Sequence, residues 1–253
     1  MKPLIDKTLI LGHRGACGYA PENTMESFEL AIKMGADGVE LDVHFTADGE
    51  VVVLHDEKID RTSNGQGLVT DYTLAELKAM DFGYHFYKEQ RKGVRIPTLA
   101  EVYGFLAPLG KIVNVEIKSA NPDIVKACDD IARQYKMEDY IIYSSFNHFQ
   151  IQKAKEIIPN AFVAPLYGFN MLNPWNYGLD IGARAVHPKF TQIRLLPDYV
   201  QNCHDRGLRV HVWTANTEED ITFSLEAGVD AIITNYPDIA NRLRSPQTSD
   251  QQL

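Results

Sequence analysis

Eight short runs rich in β-branched residues recur along this chain, spaced so that one helix fits between most neighbouring pairs. They occupy residues 8–12, 38–45, 111–118, 140–145, 162–166, 183–187, 209–214 and 231–234. The intervening stretches at 24–34, 123–135, 149–158, 197–206 and 218–227 carry helical periodicity. Sequential strands joined through helices must run parallel, because a parallel pair needs a long crossover. Eight such units predict an α/β fold, a closed (β/α)8 TIM barrel rather than an open sheet. The length of 253 residues fits one such barrel undivided. The expected domain is therefore 1–245, with a Ser- and Gln-rich tail at 246–253 expected to be disordered.

Two places break the rhythm. A ninth apolar run at 51–54 follows the turn Ala47-Asp48-Gly49, so it should fold back on the second strand. Residues 56–97 then hold a single helix signal (74–80) among many Gly, Tyr and charged residues. That segment is expected to be an insertion capping the barrel mouth. Asn23, with Glu26 three residues on, is expected to cap the first helix.

The formal charge of −9 argues against a nucleic-acid or anionic-membrane partner, which would need a broad basic face. A small anionic substrate stays admissible, since a few local cations and a metal reverse the field inside a cleft. Cys17, Cys128 and Cys203 are odd in number and lack CxxC spacing, as expected of reduced thiols. Lys2, Asp6 and Lys7 precede only a short apolar run, which does not make a signal peptide. No segment approaches the ~20 apolar residues that span a bilayer. The expected compartment is the cytoplasm, and the sequence leaves room for a homo-oligomer.

Side chains alternate along a strand, so Glu40, Asp42 and His44 share one face while Val39, Leu41 and Val43 share the other. In a barrel the apolar set packs under the helices and the acidic set points inward. Asn114, Glu116 and Lys118 point inward on the next stave by the same rule. Three inward carboxylates would repel one another, and a cation resolves this. Oxygen-only ligands favour Mg2+, Ca2+ or Mn2+ over zinc. The competing account pairs these acids with Lys118 and Arg14 without a metal; two inward acidic strands in one barrel weigh against it.

His13 and His55 each end an apolar β run and can reach the barrel mouth. With imidazole titrating near ~6.5, one can serve as base and the other as acid. His44, His85, His148, His187, His204 and His211 are assigned no catalytic part. Arg14 offers a bidentate fork for phosphate oxygens, and Lys118 a point charge. Gly15 and Gly18 allow a tight loop beside a ligand. Trp213 and Phe146 each suit a core aromatic or a substrate wall equally well.

The ordered motifs His13-Arg14-Gly15, Pro21-Glu22-Asn23-Thr24, Glu40-Leu41-Asp42-Val43, Asp48-Gly49 with His55-Asp56, Arg61-Thr62, Glu116-Ile117-Lys118, Trp213-Thr214 and Gly228-Val229-Asp230 resemble those of glycerophosphodiester phosphodiesterases. The resemblance spans about residues 9–242. It implies a TIM barrel with an insertion after the second strand. It also implies metal-dependent hydrolysis of a glycerophosphodiester to glycerol 3-phosphate and an alcohol. His13 and His55 then resemble the acid/base pair, Glu40, Asp42 and Glu116 the divalent-metal ligands, and Arg14 and Lys118 the phosphate-contacting cations. Glu22 would support the metal shell or merely order its loop, and Asp56 would be a supporting residue. Three alternatives stay open. One is a Schiff-base aldolase using Lys118. Another is a non-catalytic metal or phosphodiester binder. The last is the same chemistry on lysophospholipids, with Tyr72, Phe82, Tyr84, Phe86 and Tyr87 of the cap lining an acyl groove.

Overall fold

The computed structural model describes residues 7–88, 90 and 92–245, so the predicted tail and the residues before Lys7 lie outside the described part. Nine strands are described: β1 (Leu9–His13), β2 (Gly38–Phe45), β3 (Val51–Val53), β4 (Ile112–Ile117), β5 (Ile141–Ser145), β6 (Phe162–Tyr167), β7 (Ala185–Pro188), β8 (Arg209–Val212) and β9 (Ala231–Thr234). Eight of them run parallel in the order β1-β9-β8-β7-β6-β5-β4-β2, and the β1–β2 pairing closes the ring. The ninth, β3, pairs antiparallel with β2, with Val43 opposite Val53. The fold is thus a TIM barrel with one extra strand, as the alternation predicts.

The α-helices among the described residues are α1 (Met25–Lys33), α2 (Leu74–Ala79), α3 (Leu99–Leu106), α4 (Asp123–Gln134), α5 (His148–Ile157), α6 (Pro174–Asp180), α7 (Thr191–Leu195), α8 (Tyr199–His204), α9 (Glu218–Glu226) and α10 (Pro237–Arg244). The outward faces of the strands bury against them. Val39, Leu41 and Val43 of β2 and Val113, Val115 and Ile117 of β4 join Phe28 of α1, Val102 of α3 and Val125 of α4 in the largest apolar cluster. Each such side chain contributes roughly 1.5–3 kcal/mol on burial. That cluster fixes which face of β2 and β4 looks inward, because a one-residue slip would put the carboxylates under the helices.

The first helix starts differently from the expectation. Thr24, not Asn23, is the N-cap, its hydroxyl accepting from the Ser27 amide at 3.3 Å. Asn23 lies one residue earlier with φ +55°. Asn tolerates that left-handed conformation, and its side chain is released for a different contact.

The segment between β3 and α3 builds a small core of its own. Ile59, Val69, Leu77 and Phe82 pack on Val52 and Leu54. A capping box, Thr73 with Glu76, starts α2. Phe82 packs into this core, and with Phe86, Pro21, Glu22 and Arg61 it also borders a hollow of about 160 Å3. Among the described residues no helix is long and apolar enough to cross a membrane.

Candidate active site

Strand register assembles the site. β1, β2 and β4 are neighbours in the ring although the insertion separates β2 from β4 in sequence. His13 pairs with Glu40, Glu40 with Asn114, and Asp42 with Glu116. His13 is the last residue of β1 and Glu116 the penultimate residue of β4, at the strand ends where barrel enzymes place their chemistry, and register sets Glu40 and Asp42 of the longer β2 level with them. Carboxylate oxygens of Glu40, Asp42 and Glu116 lie within 4.8 Å of one another, all three residues buried. β3 carries His55 to the same place, because the Leu54 amide donates to the Asp42 carbonyl at 3.0 Å just before the chain leaves the sheet.

The loop after β1 is tightly specified. A Cβ on Gly15 (φ +84°) would lie 2.4 Å from the Ser27 hydroxyl, so only glycine lets the loop pass α1 this closely. The turn aims the Arg14 amide at Glu40 Oε2 (3.0 Å) and its guanidinium at Glu22 Oε1 (2.9 Å), with Nε 3.5 Å from Asp42. Lys118 Nζ sits 2.5 Å from Glu116 Oε1 and 3.3 Å from Asp42 Oδ1. The two cations and three acids thus form one buried cluster at the pocket floor.

Its electrostatics divide the carboxylates. Burial raises Glu40 well above the usual carboxylate range, and Asp42 and Glu116 add to the shift. Burial and Asp42 push Glu116 up to about 7 despite Lys118. Burial would also raise Asp42, but Lys118 and Arg14 outweigh it and hold it low. Burial alone would lower Lys118, yet Asp42 and Glu116 raise it. Lys118 is therefore held protonated, without the lone pair a Schiff base requires. Both amide atoms of Asn114 are buried without a hydrogen-bond partner, and Asp42 Oδ1 and Arg14 Nε have only ion-pair contacts, at 3.3 and 3.5 Å. Buried groups of this kind ordinarily find a hydrogen-bond partner. Together with the oxygen-only donor set, they fit a hard divalent cation and a polar ligand above it.

The histidines have anchored rings. His13 Nδ1 lies 2.7 Å from Asn235 Oδ1, and Nε2 lies 4.0 Å from Glu40 Oε2. Burial and the nearby Arg14 cation lower the His13 pKa to about 4. His55 Nδ1 bonds Asp56 Oδ1 at 2.6 Å, and His44 Nε2 meets the His55 carbonyl at 3.2 Å. Burial works to raise Asp56, but its bonds to Arg61 and His55 prevail and hold it at about 2. Arg61 from the cap bonds Asp56 at 2.6 Å and both oxygens of Glu22 at 2.7 and 2.8 Å. One chain of bonds therefore runs from His55 to Arg14.

A pocket of about 120 Å3 is lined by His13, His55, Arg14, Lys118, Glu40 and Glu116, and opposite them by Phe146 and Trp213. Trp213 follows β8, with its indole N–H donating to the His187 carbonyl at 2.8 Å. Phe146 meets it edge-on, ring centroids 5.4 Å apart, and Lys118 Nζ lies 5.7 Å from the Phe146 ring. Every predicted site residue thus reaches this pocket or its floor. Sequence reasoning missed Asn235 and left Asn23 as a cap. Asn23 Nδ2 instead donates to Asp42 Oδ2 at 2.9 Å. Its place beside Glu22 in the Pro21-Glu22-Asn23-Thr24 motif was the available signal.

A TIM barrel with anchored imidazoles, paired cations and a carboxylate triad at one mouth defines a hydrolase of phosphoric diesters. Comparison with known proteins narrows the class. Residues 13–239 match the model of the glycerophosphoryl diester phosphodiesterase family. The chain is 40% identical over 235 residues to a glycerophosphodiester phosphodiesterase of Caldanaerobacter subterraneus subsp. tengcongensis, covering 92% of this chain and 96% of that protein. A glycerophosphodiester phosphodiesterase structure from Agrobacterium tumefaciens aligns with a TM-score of 0.81 at 30% identity, over 93% of this chain and 99% of that one. An Oleispira antarctica phosphodiesterase in complex with the product sn-glycerol-3-phosphate aligns at 0.82 and 29%, over 94% and 96%. The chain belongs to the glycerophosphoryl diester phosphodiesterase family.

Proposed function

We propose that the enzyme hydrolyses a glycerophosphodiester to glycerol 3-phosphate and an alcohol, with His13 as general base and His55 as general acid. One observation carries the proposal: a single small pocket gathers both imidazoles, both cations and two of the three clustered carboxylates. Arg14 and Lys118 hold the phosphate oxygens, while Phe146 and Trp213 form the wall against the carbon chain. Glu40, Asp42 and Glu116 would hold a divalent cation, Mg2+, Ca2+ or Mn2+. Such an ion supplies Lewis-acid polarisation of a phosphate oxygen and a lower pKa for the nucleophile.

The roles of the histidines follow from their anchors. The side-chain Oδ1 of Asn235 accepts only, so neutral His13 carries its proton on Nδ1 and presents the Nε2 lone pair. Burial and the Arg14 cation lower its pKa, which keeps the ring neutral with that lone pair free. His55 Nδ1 is held by the Asp56 carboxylate at 2.6 Å, which orients the ring for the part of general acid toward the departing alkoxide. The proposal also takes residues 1–245 as one domain and the cytoplasm as its site of action. All three cysteines are free, which suits a reducing compartment.

A coupled assay for glycerol 3-phosphate, with EDTA and metal add-back, tests the whole scheme. Hydrolysis should stop in EDTA and return with a divalent ion. His13→Ala and His55→Ala should each lower kcat by at least ~10²-fold, with an unchanged far-UV circular dichroism spectrum. Near-normal turnover in either variant would sink the assignment.

A further inference from the structure

The cap reaches the chemistry through Arg61. All three nitrogens of its guanidinium are engaged: Nε donates to Asp56 Oδ2 (2.6 Å), Nη1 to Glu22 Oε2 (2.7 Å) and Nη2 to Glu22 Oε1 (2.8 Å). Each acceptor has a second partner in the site. Asp56 Oδ1 holds His55 Nδ1 at 2.6 Å, and Glu22 Oε1 also accepts from Arg14 Nη1 at 2.9 Å. Arg61 itself does not line the pocket that holds His13, His55 and Arg14. The turn that carries it is pinned. Ile59 and Ser63 are fully buried, and the Ser63 amide and hydroxyl both donate to the Ile59 carbonyl, at 3.0 and 2.8 Å. Ile59 in turn packs with Leu77 and Phe82 in the core of the cap. The Arg61 side chain is 47% exposed. Exposed ion pairs ordinarily contribute little, because holding two long side chains in one geometry costs entropy. A planar fork that grips one carboxylate with two nitrogens and a second with its third is the exception, since it fixes direction as well as charge.

We propose that Arg61 is a positioning residue that aims the general acid and the phosphate-binding cation together, setting the His55 ring through Asp56 and the Arg14 fork through Glu22. The cap thereby becomes a working part of the active site, tied to it by one side chain on a rigid turn. This inference rests on the phosphodiesterase chemistry proposed above. Its two arms act on different constants. His55 gives up its proton only as the bond to the leaving alcohol breaks, so the Asp56 arm governs kcat. Arg14 meets the phosphate in the bound diester as well as in the transition state, so the Glu22 arm governs KM.

Steady-state kinetics on glycerophosphocholine, with the activating divalent ion, test it through two double-mutant cycles. Arg61→Ala should lower kcat and raise KM, each by about tenfold, the worth of one charge-assisted hydrogen bond. Asp56→Asn should change chiefly kcat, and Glu22→Gln chiefly KM. Each double variant with Arg61→Ala should lose little more than its worse single in the constant its arm governs, because groups acting in series are not additive. Guanidinium ion at a non-denaturing concentration should restore part of the lost kcat to Arg61→Ala and none to Asp56→Asn. Arg61→Lys should leave at least one constant impaired, since a single ammonium cannot span both carboxylates. NMR of isotope-labelled histidine rings gives a readout independent of turnover, taken without metal or substrate. Neutral His55 should be held as the Nδ1–H tautomer in the wild type and should average between tautomers in Arg61→Ala. Additive double variants, near-normal activity in Arg61→Ala, or an unchanged His55 tautomer in that variant would overturn the proposal. So would a loss that tracks a lowered melting temperature and ignores guanidinium, which would make Arg61 a brace for the cap alone. If the wild type leaves glycerophosphodiesters intact with metal present, the underlying chemistry fails, and the NMR spectra still decide whether Arg61 sets the His55 ring.

Discussion

Asn23 and Asn235 show how single side chains set the chemistry of this pocket. Each presents an amide to a more prominent neighbour, Asn23 to the Asp42 carboxylate and Asn235 to the His13 ring. Asn235 is itself positioned by Asn216, whose side-chain oxygen accepts from the Asn235 main-chain N–H at 2.9 Å. Replacing Asn235 with leucine keeps the bulk and removes the acceptor, so His13 loses the bond that selects its tautomer. The expected result is a kcat lowered by about 10²-fold with KM and melting temperature nearly unchanged, read from steady-state kinetics and thermal denaturation. A kcat within twofold of wild type would show that the tautomer is selected elsewhere. The acids and bases were legible in sequence because strand alternation exposes them. The amides were not, since asparagine beside a turn is also what any loop contains. His13 and Asn235 lie 222 positions apart, a separation no local pattern spans.

The elements matter through what their ends carry. β3 adds no stave to the barrel, yet it delivers His55 and anchors the cap, whose core leans on Val52 and Leu54. Asp81 ties the far end of that cap together. Its carboxylate accepts from the amides of Gly83 (2.9 Å), Lys92 (2.7 Å) and Gly93 (2.8 Å). Burial would raise its pKa, but these bonds outweigh burial and lower it. A carboxyl depressed in the folded state contributes stability that is full above its unfolded pKa of ~3.9 and is lost as pH falls through the folded value. Hydrogen-exchange protection of Gly83, Lys92 and Gly93 should accordingly hold from pH 7 to about 4 and weaken below. In Asp81→Asn it should be lower throughout and free of that acid-dependent step. Identical acid profiles in the two proteins would refute the link. The period of the strands was legible, and so was the fold-back of β3. The Thr24 cap was not, because Asn23 and Thr24 are both good cap residues and only the bond to Asp42 decides between them.

At the scale of the molecule, ring closure brings β1 against β2 and β9, so the first and last staves complete one site. The same closure is tied at the other end of the barrel. Arg244 of α10 donates to Asp37 and to the Thr8 carbonyl, and Asp37 also accepts from the Ile10 amide at 2.9 Å. A cation bound by the triad would add stability to the folded barrel alone, since the unfolded chain scatters its ligands. At free metal near 100 times its Kd the gain should be about 2.7 kcal/mol, visible as a melting temperature that rises with metal and falls in EDTA. Glu116→Gln should blunt that rise. A melting temperature indifferent to both metal and EDTA would argue against the site. The sequence by itself determined the number of staves, the inward face of β2 and β4, and the residues able to ionise or bind phosphate, because a two-residue alternation and side-chain chemistry are local properties. Tertiary structure alone decided that Asp42 is held low while Glu40 and Glu116 are pushed up, that the amides of Asn235 and Asn23 meet the His13 ring and the Asp42 carboxylate, and that Phe146 borders a second hollow. Those outcomes depend on burial and on distances of a few ångströms between residues far apart in the chain, which are fixed only when the barrel closes.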